Sequence, residues 1–586
     1  MLTGTTGTPF NGAWSAVAHV LRENRVDVVF GLPADDLRLP AAFLEQGPQL
    51  VLCRDQRNGA FMASGYAMSS GRPGVLVVGK GPAVTNTLTG LLEAGSSSAP
   101  VVVLAAGTDS SALGSGAFQE LDQLSVVGPL VKAGFRAEEP KRLIPLLRRA
   151  LLTASAGTPG PVYLEVPDHL LRKEIPRPSH AGPLLDGSSV EPSITDSEAL
   201  RTLMRSRRPM LLVGGGSRHV NTDGGIERLA ETLGAGILST ASGRGTVPEE
   251  HHLFLGLSGL YANSTATSLL EECDCLISLG SRLEETAVFG WPGSMGVSTP
   301  VVQVNIDAAG LSTEFAGPCA VGDVGAIVDT WSRSLTDRGR KRDSAWSHRI
   351  DRVKKILLEE PSNKPGRTAG DRPPLVTELL TEVERTVPAS RVLVQENGLQ
   401  DMWSYFYPAY VCSERGGSIV PSEQTSLGFG AAAALGVKAA HPDRPVVALV
   451  GDGAFAMFAA DLPSAVDAEL PVLYLVLRNG GYGWLRSQAE EMVPPISGVP
   501  FTREERVRTE WAQVPGVYQA FVRTFAELGP TLRTAWEYVD NGGTAVLNVV
   551  VDPSDTPLSE SEVSGDFPTT GCRAQHGEED MGHGIG

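Results

Sequence analysis

Two oxygen donors, Asp452 and Asn479, have the chemical types and the spacing that a metal site needs. Asp452 follows the apolar run Val446–Val450, and Asn479 follows a second run, Val472–Leu477, with a helical pattern between them. Because parallel strands joined by a helix end at the same edge of a sheet, we expect the two side chains to lie close together. Carboxylate and amide oxygens are ligands that Mg²⁺ takes when phosphates and water complete its octahedron. The stretch therefore predicts a metal and diphosphate site.

Glycines flank both donors. A glycine lets the backbone approach a diphosphate closely and can free a carbonyl oxygen as a further ligand. A Gly-Asp-Gly turn alone is common, so it is the pairing with an asparagine after 25 intervening residues that indicates function. The predicted metal ligands are Asp452, Asn479 and Gly481. The predicted cofactor contacts at this edge are Gly451, Asp452, Gly453, Ala454, Asn479, Tyr482 and Gly483.

Length and charge limit the class of protein. A chain of 586 residues is too long for one core, and three domains of about 150 to 200 residues each are expected. The hydrophobic content of 42% and the charged content of 20% are those of an ordinary globular protein. The net charge of -18 argues against nucleic acid or an anionic membrane as a partner, since both select basic patches.

The cysteines and the N-terminus bear on the cellular compartment. The six cysteines include no Cys-x-x-Cys pair, and we predict that Cys273 and Cys275 are buried thiols rather than metal ligands. The first residues lack a basic region followed by an apolar core, and no apolar run reaches the length of a membrane span. We therefore expect a reduced, cytoplasmic protein.

Apolar runs alternate with helical patterns through the first 172 residues. The rhythm predicts βα repetition around a parallel sheet that is buried on both faces. Two further regions repeat it, so the predicted fold class is α/β, with three doubly wound parallel-sheet domains. The expected bounds are 8–172, 196–336 and 375–555.

Polar stretches separate these regions. Residues 172–197 are rich in Pro, Gly and Ser and predict a linker. Residues 337–374 predict a second linker that carries one amphipathic helix with a solvated basic face. Residues 556–586 have almost no aliphatic side chains, so we predict a disordered C-terminal tail.

Several motifs, in order, resemble those of thiamine-diphosphate-dependent enzymes of the acetolactate synthase branch. The Gly-Asp-Gly turn with Asn479 resembles the family's cofactor signature, although Arg478 stands where the signature has a first Asn. The resemblance implies two related cofactor-binding domains with a third domain between them. The other matching segments are RDQRNGAFMASGYAMSSGRPGV (54–75), KGPAVTN (80–86), Phe118-Gln119-Glu120, TPGPVYLEVPDHL (158–170), NGLQDMW (397–403) and TSLGFGAAAALG (425–436).

The resemblance also implies roles for particular residues. An acidic residue of the first domain, here Asp55, would hydrogen-bond the cofactor's aminopyrimidine and promote its activation. Leu427, where synthases have Met, would hold the two cofactor rings bent together. The carbonyl of Thr425 would accept a hydrogen bond from the pyrimidine amino group. The remaining implied residues are Gly398 and Gln400 at the diphosphate and Gln119 and Lys80 at the catalytic centre.

The sequence departs from the family pattern at Asp55, where relatives have Glu. The carboxylate is then shorter by one C–C bond, about 1.5 Å. Proton transfer needs heavy atoms about 2.6–3.2 Å apart. Three alternatives follow: the backbone moves in, a water molecule bridges the gap, or activation is weaker. A purely structural Asp55 is the competing interpretation.

Three further departures fall near the substrate. Lys80 replaces a small residue and either binds an anionic substrate or faces solvent. Gln400 replaces a His and is expected to alter the diphosphate contacts. Arg486 follows the glycine loop where an acceptor would approach.

The histidines and the central region narrow the function. The decarboxylase branch uses a His pair in the first domain, whereas the His pair of this chain, His251-His252, lies in the central region. Carbon–carbon ligation is therefore favoured. Synthases hold an FAD without a redox role in the central domain, and Gly214-Gly215-Gly216 suits a nucleotide phosphate. Leu283-Glu284-Glu285-Thr286 stands where synthases have Phe-Asp-Asp-Arg, so FAD is possible but not supported, and a domain without a nucleotide is the alternative.

Three functional hypotheses follow from the sequence. The first is a thiamine-diphosphate and Mg²⁺-dependent carboligase that joins an acyl group from a 2-oxo acid such as pyruvate to a second acceptor. The second is a decarboxylase or 2-hydroxyacyl lyase. The third is a non-catalytic, cofactor-binding partner subunit, which Asp55 motivates. The resemblance further implies a homodimer or homotetramer, because each cofactor would be shared between the first domain of one chain and the third domain of another.

Overall fold

A computed structural model describes residues 9–32, 38–177, 197–359, 371–485 and 513–557. Along these ranges three six-stranded parallel sheets follow one another, each flanked by helices. The predicted α/β class with three parallel-sheet domains is confirmed. Most of the predicted first linker, the predicted C-terminal tail from residue 558 onward, and Arg486 lie outside the described residues.

The first domain is built on a sheet of order β3-β2-β4-β5-β7-β6, and β1 pairs antiparallel with β8. Its strands are β1 (Phe10–Asn11), β2 (Val28–Gly31), β3 (Gln49–Leu52), β4 (Gly74–Val78), β5 (Val101–Gly107), β6 (Ala133–Arg136), β7 (Val162–Pro167) and β8 (Glu174–Ile175). Its helices are α1 (Ala13–Glu23), α2 (Arg38–Gln46), α3 (Gln56–Ser70), α4 (Pro82–Thr85), α5 (Leu88–Ser96), α6 (Gln123–Val127), α7 (Pro140–Ser155) and α8 (Asp168–Leu171).

The central domain has the sheet order β11-β10-β9-β12-β13-β14. Its strands are β9 (Pro209–Val213), β10 (Gly236–Ser239), β11 (Phe254–Leu257), β12 (Cys275–Leu279), β13 (Val301–Asn305) and β14 (Cys319–Val321). Its helices are α9 (Ser197–Arg205), α10 (Gly225–Leu233), α11 (Ser264–Glu272), α12 (Glu285–Val288), α13 (Val324–Asp337) and α14 (Ser344–Glu359).

The third domain has the sheet order β16-β15-β17-β18-β20-β19. Its strands are β15 (Val392–Gln395), β16 (Ser418–Ile419), β17 (Val446–Gly451), β18 (Leu473–Arg478), β19 (Val517–Val522) and β20 (Thr544–Val550). Its described helices are α15 (Val376–Thr386), α16 (Phe429–Ala440), α17 (Asp452–Phe458), α18 (Leu462–Asp467) and α19 (Phe525–Asp540).

The first and third sheets have the same connectivity, position by position, and the central sheet has another. In the third sheet the strand order reverses between β15 and β17, because β16 lies on one side of β15 and β18 lies on the far side of β17. Open α/β sheets bind ligands in the crevice at such a switch point, at the carboxyl ends of the strands. The topology therefore marks the edge that carries Gly398, Gly451 and Asp452.

The strands form where the sequence places continuous apolar runs. All seven residues of β5 are buried, and so are five of the six in β17. A parallel strand covered by helices on both faces has no polar side, so its sequence is apolar throughout rather than alternating. The continuous apolar runs of the sequence predicted these buried strands for the same reason.

Helices α3 and α16 pack against each other through small residues, joining the first domain to the third. A Cβ added to Gly65 would lie 2.3 Å from the carbonyl oxygen of Ala433, and one added to Gly436 would lie 1.8 Å from that of Met62. Neither glycine can be replaced without separating the helices. The small residues of both helices thus let the two backbones approach closely.

Two features of the predicted linkers differ from expectation. Glu174 and Ile175 form β8 and pair with β1, although they fall in the stretch predicted as a linker. The predicted amphipathic helix is α14, and its apolar face lies in the central core through Trp346 and Ile350. Lys354 of α14 is part-buried and donates to three carbonyl oxygens, so the basic face is not wholly solvated.

Cys273 and Cys275 are buried free thiols, as predicted. Within the described ranges, no helix combines the length and the apolar character that crossing a membrane requires.

Candidate functional site

The predicted oxygen donors meet at the carboxyl edge of the third sheet. Strands β17 and β18 are parallel neighbours, with Gly451 opposite Leu477. Gly451 precedes the first turn of α17, whose first residue, Asp452, is only 2% exposed. Asn479 follows β18 directly. As the strand–helix–strand pattern predicts, Asp452 and Asn479 lie just past the carboxyl ends of two neighbouring parallel strands.

Hydrogen bonds orient the amide of Asn479. Its Nδ2 donates to Oε1 of Gln400 at 2.6 Å, and its Oδ1 accepts from the backbone N–H of Gly481 at 3.1 Å. Gln400 in turn donates to the carbonyl of Pro553 at 3.0 Å. A Cβ on Gly483 would lie 2.7 Å from Nδ2 of Asn479, so a larger residue there would displace the amide. The amide is oriented by Gln400 and by the backbone of Gly481, and Pro553 in turn holds Gln400.

Asp401 is a buried carboxyl beside this edge to which sequence reasoning gave no role. Its Oδ2 accepts from the backbone N–H of Gly451 at 3.1 Å. Burial, together with the nearby carboxylate of Asp452, raises the pKa of Asp401 to about 7, against hydrogen bonds from Gly451 and Gly398 that lower it. A Cβ on Gly398 would lie 2.7 Å from Oδ2 of Asp401, which explains a glycine at that position. The sequence signal was a carboxylate inside the NGLQDMW segment.

The remaining predicted contacts of this edge surround α17. Ala454 is buried in the first turn. The ring of Tyr482 lies over the start of the helix, 3.7 Å from where a Cβ on Gly453 would be. Arg478, at the end of β18, places its Nε 3.7 Å from Oδ2 of Asp452. A cation therefore stands where the family signature has a first Asn.

The loop before α16 presents the residues expected at the cofactor rings. Thr425 has a φ of +44°, in the left-handed region that a β-branched residue rarely adopts. Leu427 is 48% exposed. Gly428 has a φ of +90° and precedes the first turn of α16. Strained backbone of this kind persists only where its surroundings impose it.

The side chain of Glu396 forms a hydrogen bond with the first turn of α16. It follows β15 and is buried, and its Oε2 accepts from the backbone N–H of Gly430 at 3.0 Å. Its Oε1 has no hydrogen-bond partner among the described residues. Burial raises the pKa of Glu396 well above its usual range. Sequence reasoning missed this residue because a Glu after a strand carries no distinctive signal.

Asp55 caps helix α3. Its Oδ1 accepts from the backbone N–H of Arg57 at 2.8 Å, and its other oxygen lies 3.7 Å from the Arg57 guanidinium. Asp is among the best residues at a helix N-cap because its short side chain reaches the second or third N–H. The side chain is 40% exposed, so the carboxylate also faces the space outside the helix. Both interpretations of Asp55 therefore have a structural basis.

Lys80 lies in the loop after β4, and its Nζ forms an ion pair with Asp168, at the start of α8. The Lys80 side chain is 13% exposed, so the alternative that placed it in solvent is wrong. Lys80 does bind a carboxylate, but it is one of this chain. Gln119 has a φ of +56° and packs against Gly81, so it lies beside Lys80 as expected for one region of the site.

The two halves of the predicted site adjoin within one chain. The guanidinium of Arg57 and the side-chain amide of Asn58 both donate to the carbonyl of Met457, at 3.1 and 3.2 Å. Arg57 and Asn58 belong to the first turn of α3, after Asp55, and Met457 belongs to α17, after Asp452. The helix that Asp55 caps thus abuts the helix that Asp452 begins.

The glycine loop of the central domain is occupied by its own backbone. The N–H of Gly214 donates to the carbonyl of Leu279 at 2.8 Å, and that of Gly216 donates to the carbonyl of Gly280 at 2.9 Å. A Cβ on Gly214 would lie 2.5 Å from the Gly280 oxygen. The glycines serve close packing onto the end of β12, and these two N–H groups are not available to a phosphate.

Acidic side chains lie in and against the segment that follows β12. Glu284 pairs with Arg282 at 2.6 Å, and Glu423 accepts from the hydroxyl of Thr286. Burial raises the pKa of both carboxyls, and Arg282 opposes the shift in each of them. These carboxyls thus have partners within the chain. A central domain without a nucleotide stays the alternative to one that holds FAD.

The His pair lies in the central domain, as the sequence indicated. His251 and His252 precede β11, with ring centroids 4.5 Å apart. The Nε2 of His251 lies 3.3 Å from Oε1 of Glu231, and its Nδ1 accepts from the N–H of Leu253 at 3.3 Å. Both ring nitrogens of His251 thus have partners inside the central domain.

Comparison with known proteins agrees with this geometry. Residues 13–126 match the N-terminal TPP binding domain of thiamine pyrophosphate enzymes, residues 197–330 their central domain, and residues 397–549 their C-terminal TPP binding domain. The chain belongs to the thiamine pyrophosphate enzyme family. The class defined by the three sheets and the third-domain edge is therefore that of a thiamine-diphosphate-dependent enzyme.

Among its relatives are large subunits of acetolactate synthase. The chain is 30% identical to the isozyme 2 large subunit of Escherichia coli (strain K12), over 81% of this chain and 84% of that one. It is 28% identical to the probable large subunit of Methanocaldococcus jannaschii, over 80% of each chain. It is 28% identical to the large subunit of Haemophilus influenzae, over 80% of this chain and 82% of that one. The resemblance inferred from the motifs is confirmed.

Proposed function

We propose that this protein is a thiamine-diphosphate-dependent carboligase that takes an acyl group from a 2-oxo acid such as pyruvate and joins it to a second carbonyl compound. The observation that carries the proposal is the position of Asp452 and Asn479, which follow the adjacent strands β17 and β18 at the carboxyl edge of the third sheet. The names of the relatives support the acetolactate synthase type of reaction. The proposed partners are small molecules, and the proposed compartment is the cytoplasm.

The donor set of the third domain fits Mg²⁺ and a diphosphate. The carboxylate of Asp452, the amide oxygen of Asn479 and the carbonyl of Gly481 are hard oxygen ligands of the kind that Mg²⁺ selects. The N-terminus of α17, which is seven residues long, adds the positive end of a helix dipole beside them. Gln400 would meet the diphosphate next to Asn479, which it already orients.

When bound, thiamine diphosphate supplies the nucleophilic carbon that adds to a carbonyl and the ring that accepts the electrons released as carboxylate leaves. The chain's task is to position it. Leu427, about half exposed, would support the bend between its two rings. The carbonyl of Thr425 would accept a hydrogen bond from the amino group of the cofactor's pyrimidine. Asp55 would hold the proton that the pyrimidine exchanges.

The first-domain residues around Lys80 would form the substrate side. Lys80 and Asp168 form an ion pair, and Gln119 packs against the adjacent Gly81. An ammonium retains two donors after one carboxylate accepts from it. Lys80 would therefore orient a substrate carboxylate while Asp168 holds its side chain in place.

The test is incubation of the purified protein with pyruvate, thiamine diphosphate and Mg²⁺, followed by mass spectrometry. We expect CO₂ and a product with a new carbon–carbon bond, and both should disappear when the cofactor is omitted. Carbon dioxide with a simple aldehyde and no coupled product would instead identify a decarboxylase. Cofactor binding without turnover of pyruvate or of other 2-oxo acids would overturn the proposal.

A non-catalytic, cofactor-binding subunit is the second candidate, and the capping role of Asp55 is the observation that favours it. The family pattern has an acidic residue that meets the pyrimidine at this position. The carboxylate of Asp55 instead accepts a hydrogen bond from a backbone N–H of the helix that it caps. Asp452 and Asn479 would still hold the diphosphate. The two candidates differ in whether bound cofactor is activated.

We also propose a homodimer or homotetramer in which each cofactor lies between the first domain of one chain and the third domain of another. Mixing the Asp55→Asn and Asn479→Ala variants tests this. After subunit exchange, half of the dimers are mixed and each mixed dimer has one intact site, so about a quarter of the parent activity should return. The competing outcome is a site within one chain, since α3 contacts α17 there. No recovery, despite exchange shown by differently tagged chains, would establish that outcome.

A further inference from the structure

Two buried carboxylates cross the boundary between the first and third domains. Glu93 lies on α5 of the first domain and is fully buried. Its Oε1 accepts from the backbone N–H of Ser422 at 2.5 Å, and its Oε2 accepts from that of Ser426 at 3.1 Å. Both serines belong to the third domain. The hydroxyl of Ser97 donates to Oε1 at 3.1 Å and completes the set.

The second carboxylate reaches in the opposite direction. Asp461 of the third domain is fully buried between α17 and α18. Its Oδ1 accepts from the backbone N–H of Arg54 at 2.5 Å, and its Oδ2 accepts from the side-chain amide of Asn58 at 2.7 Å. Arg54 and Asn58 belong to the first domain. The Arg54 guanidinium continues this contact with the hydroxyl of Ser464 at 2.5 Å.

Each carboxylate holds the element of the other domain that carries a predicted cofactor residue. Ser422 and Ser426 enclose Thr425, with its φ of +44°, and Leu427 follows them. Arg54 and Asn58 enclose Asp55. Hydrogen bonds from backbone N–H groups to a carboxylate are the strong, charge-assisted kind, and burial strengthens them. The two contacts therefore fix the irregular loop before α16 and the point at which α3 begins.

We propose that Glu93 and Asp461 are positioning residues that form a reciprocal clasp: Glu93 sets the conformation of the 422–427 loop for the cofactor rings, and Asp461 sets the position of Asp55. The inference rests on the proposed function for its consequence in catalysis. The clasp couples the two cofactor elements to the docking of the first domain on the third. Strain at Thr425 is maintained because Glu93 holds the backbone on both sides of it.

The first experiment needs no cofactor. Hydrogen–deuterium exchange of the cofactor-free protein would be followed by mass spectrometry in the parent and in Glu93→Gln and Asp461→Asn. Each substitution keeps the shape and turns one acceptor oxygen into a donor that faces an N–H. We expect exchange at least about tenfold faster over 422–426 in Glu93→Gln, and over 54–58 in Asp461→Asn, through local opening. Asp323→Asn is the matched control, because Asp323 accepts from the N–H of Ala326 in the central domain.

The second experiment measures the consequence for the cofactor. Calorimetric titration with thiamine diphosphate and Mg²⁺ should show affinity at least about tenfold lower in Glu93→Gln than in the parent or in Asp323→Asn. Hydrogen–deuterium exchange at C2 of bound cofactor should be at least about tenfold slower in Asp461→Asn, with affinity closer to that of the parent. Glu93→Asp should restore part of the lost affinity, which a general loss of stability would not allow.

The outcomes separate the clasp from the proposed function. A parent protein that binds no thiamine diphosphate would refute the proposed function, while the exchange data would still report on the two loops. Faster exchange spread over the whole chain, or loop exchange equal to that of the parent, would overturn the clasp. Loop opening with unchanged affinity and unchanged C2 exchange would also overturn it, because the carboxylates would then only stabilise the fold.

Discussion

Asn479→Ala and Asp452→Ala should each abolish retention of thiamine diphosphate. Asp452 and Asn479 supply the two side-chain oxygens of the predicted metal site. Loss of an outer-shell partner typically lowers metal affinity about 10- to 100-fold, and loss of a ligand should cost more, so we expect a decrease of at least about 100-fold. Calorimetric titration of the cofactor in excess Mg²⁺ measures it directly. Affinity equal to the parent in both variants would refute the assignment of the site.

Two further variants separate ligation from fold. Asn541→Ala is the control, because Asn541 caps the C-terminus of α19 and its side chain donates to the carbonyl of Glu537 in that helix. Asn479→Asp keeps an oxygen ligand but removes the N–H that donates to Gln400. We expect it to retain the metal and to bind the cofactor with an affinity between those of the parent and Asn479→Ala. Binding as weak as that of Asn479→Ala would show that the orientation by Gln400, rather than the oxygen, decides affinity.

Asp55→Asn should reduce hydrogen–deuterium exchange at C2 of bound cofactor by at least about 100-fold, at the lower end of the range for general acid–base groups. This substitution separates the capping role of Asp55 from its proposed role in proton transfer. Asn caps helices about as well as Asp, so the bond from Arg57 is kept and only the charge and the proton are lost. Rapid quench and NMR of the bound cofactor give the exchange rate without knowledge of the substrate. The thermal stability of Asp55→Asn should equal that of the parent.

Asp55→Glu tests the missing methylene. Glu is longer by about 1.5 Å and caps a helix less well, so reach is gained while the start of α3 is loosened. We expect faster C2 exchange than in the parent and a small loss of stability, of about 1 kcal/mol. Exchange in Asp55→Asn equal to that of the parent would show that the carboxylate is structural. That result would favour the non-catalytic subunit.

The sequence alone determined the class of fold and the sheet edge that carries Asp452 and Asn479. The apolar runs predicted buried parallel strands because a strand covered on both faces has no polar side, as in β5 and β17. Asp452 and Asn479 could be brought together without a structure because a right-handed strand–helix–strand unit fixes where both strands end. These are short-range rules, and they hold over the 25 residues between the two motifs.

What Lys80 and the central glycines do was decided only in three dimensions. Lys80 was expected to meet either solvent or an anionic substrate, and it pairs with Asp168, 88 residues away. Gly214 and Gly216 match a phosphate loop in sequence, yet their N–H groups bond to the end of β12. A glycine run allows another group to approach the backbone closely. The sequence does not show whether that group is a ligand or another part of the chain.

The contacts of Glu93 and Asp461 also could not be predicted from the sequence. Glu93 and Asp461 are single carboxylates in helical patterns, and nothing in their neighbours distinguishes them from solvated surface residues. Their partners lie 329 and 407 residues away along the chain. Local periodicity sets which face of a helix is buried, whereas the identity of a partner on another domain depends on how the domains dock. That docking is fixed by the close approach of α3 and α16, and so the positions of the cofactor elements are a property of the tertiary structure.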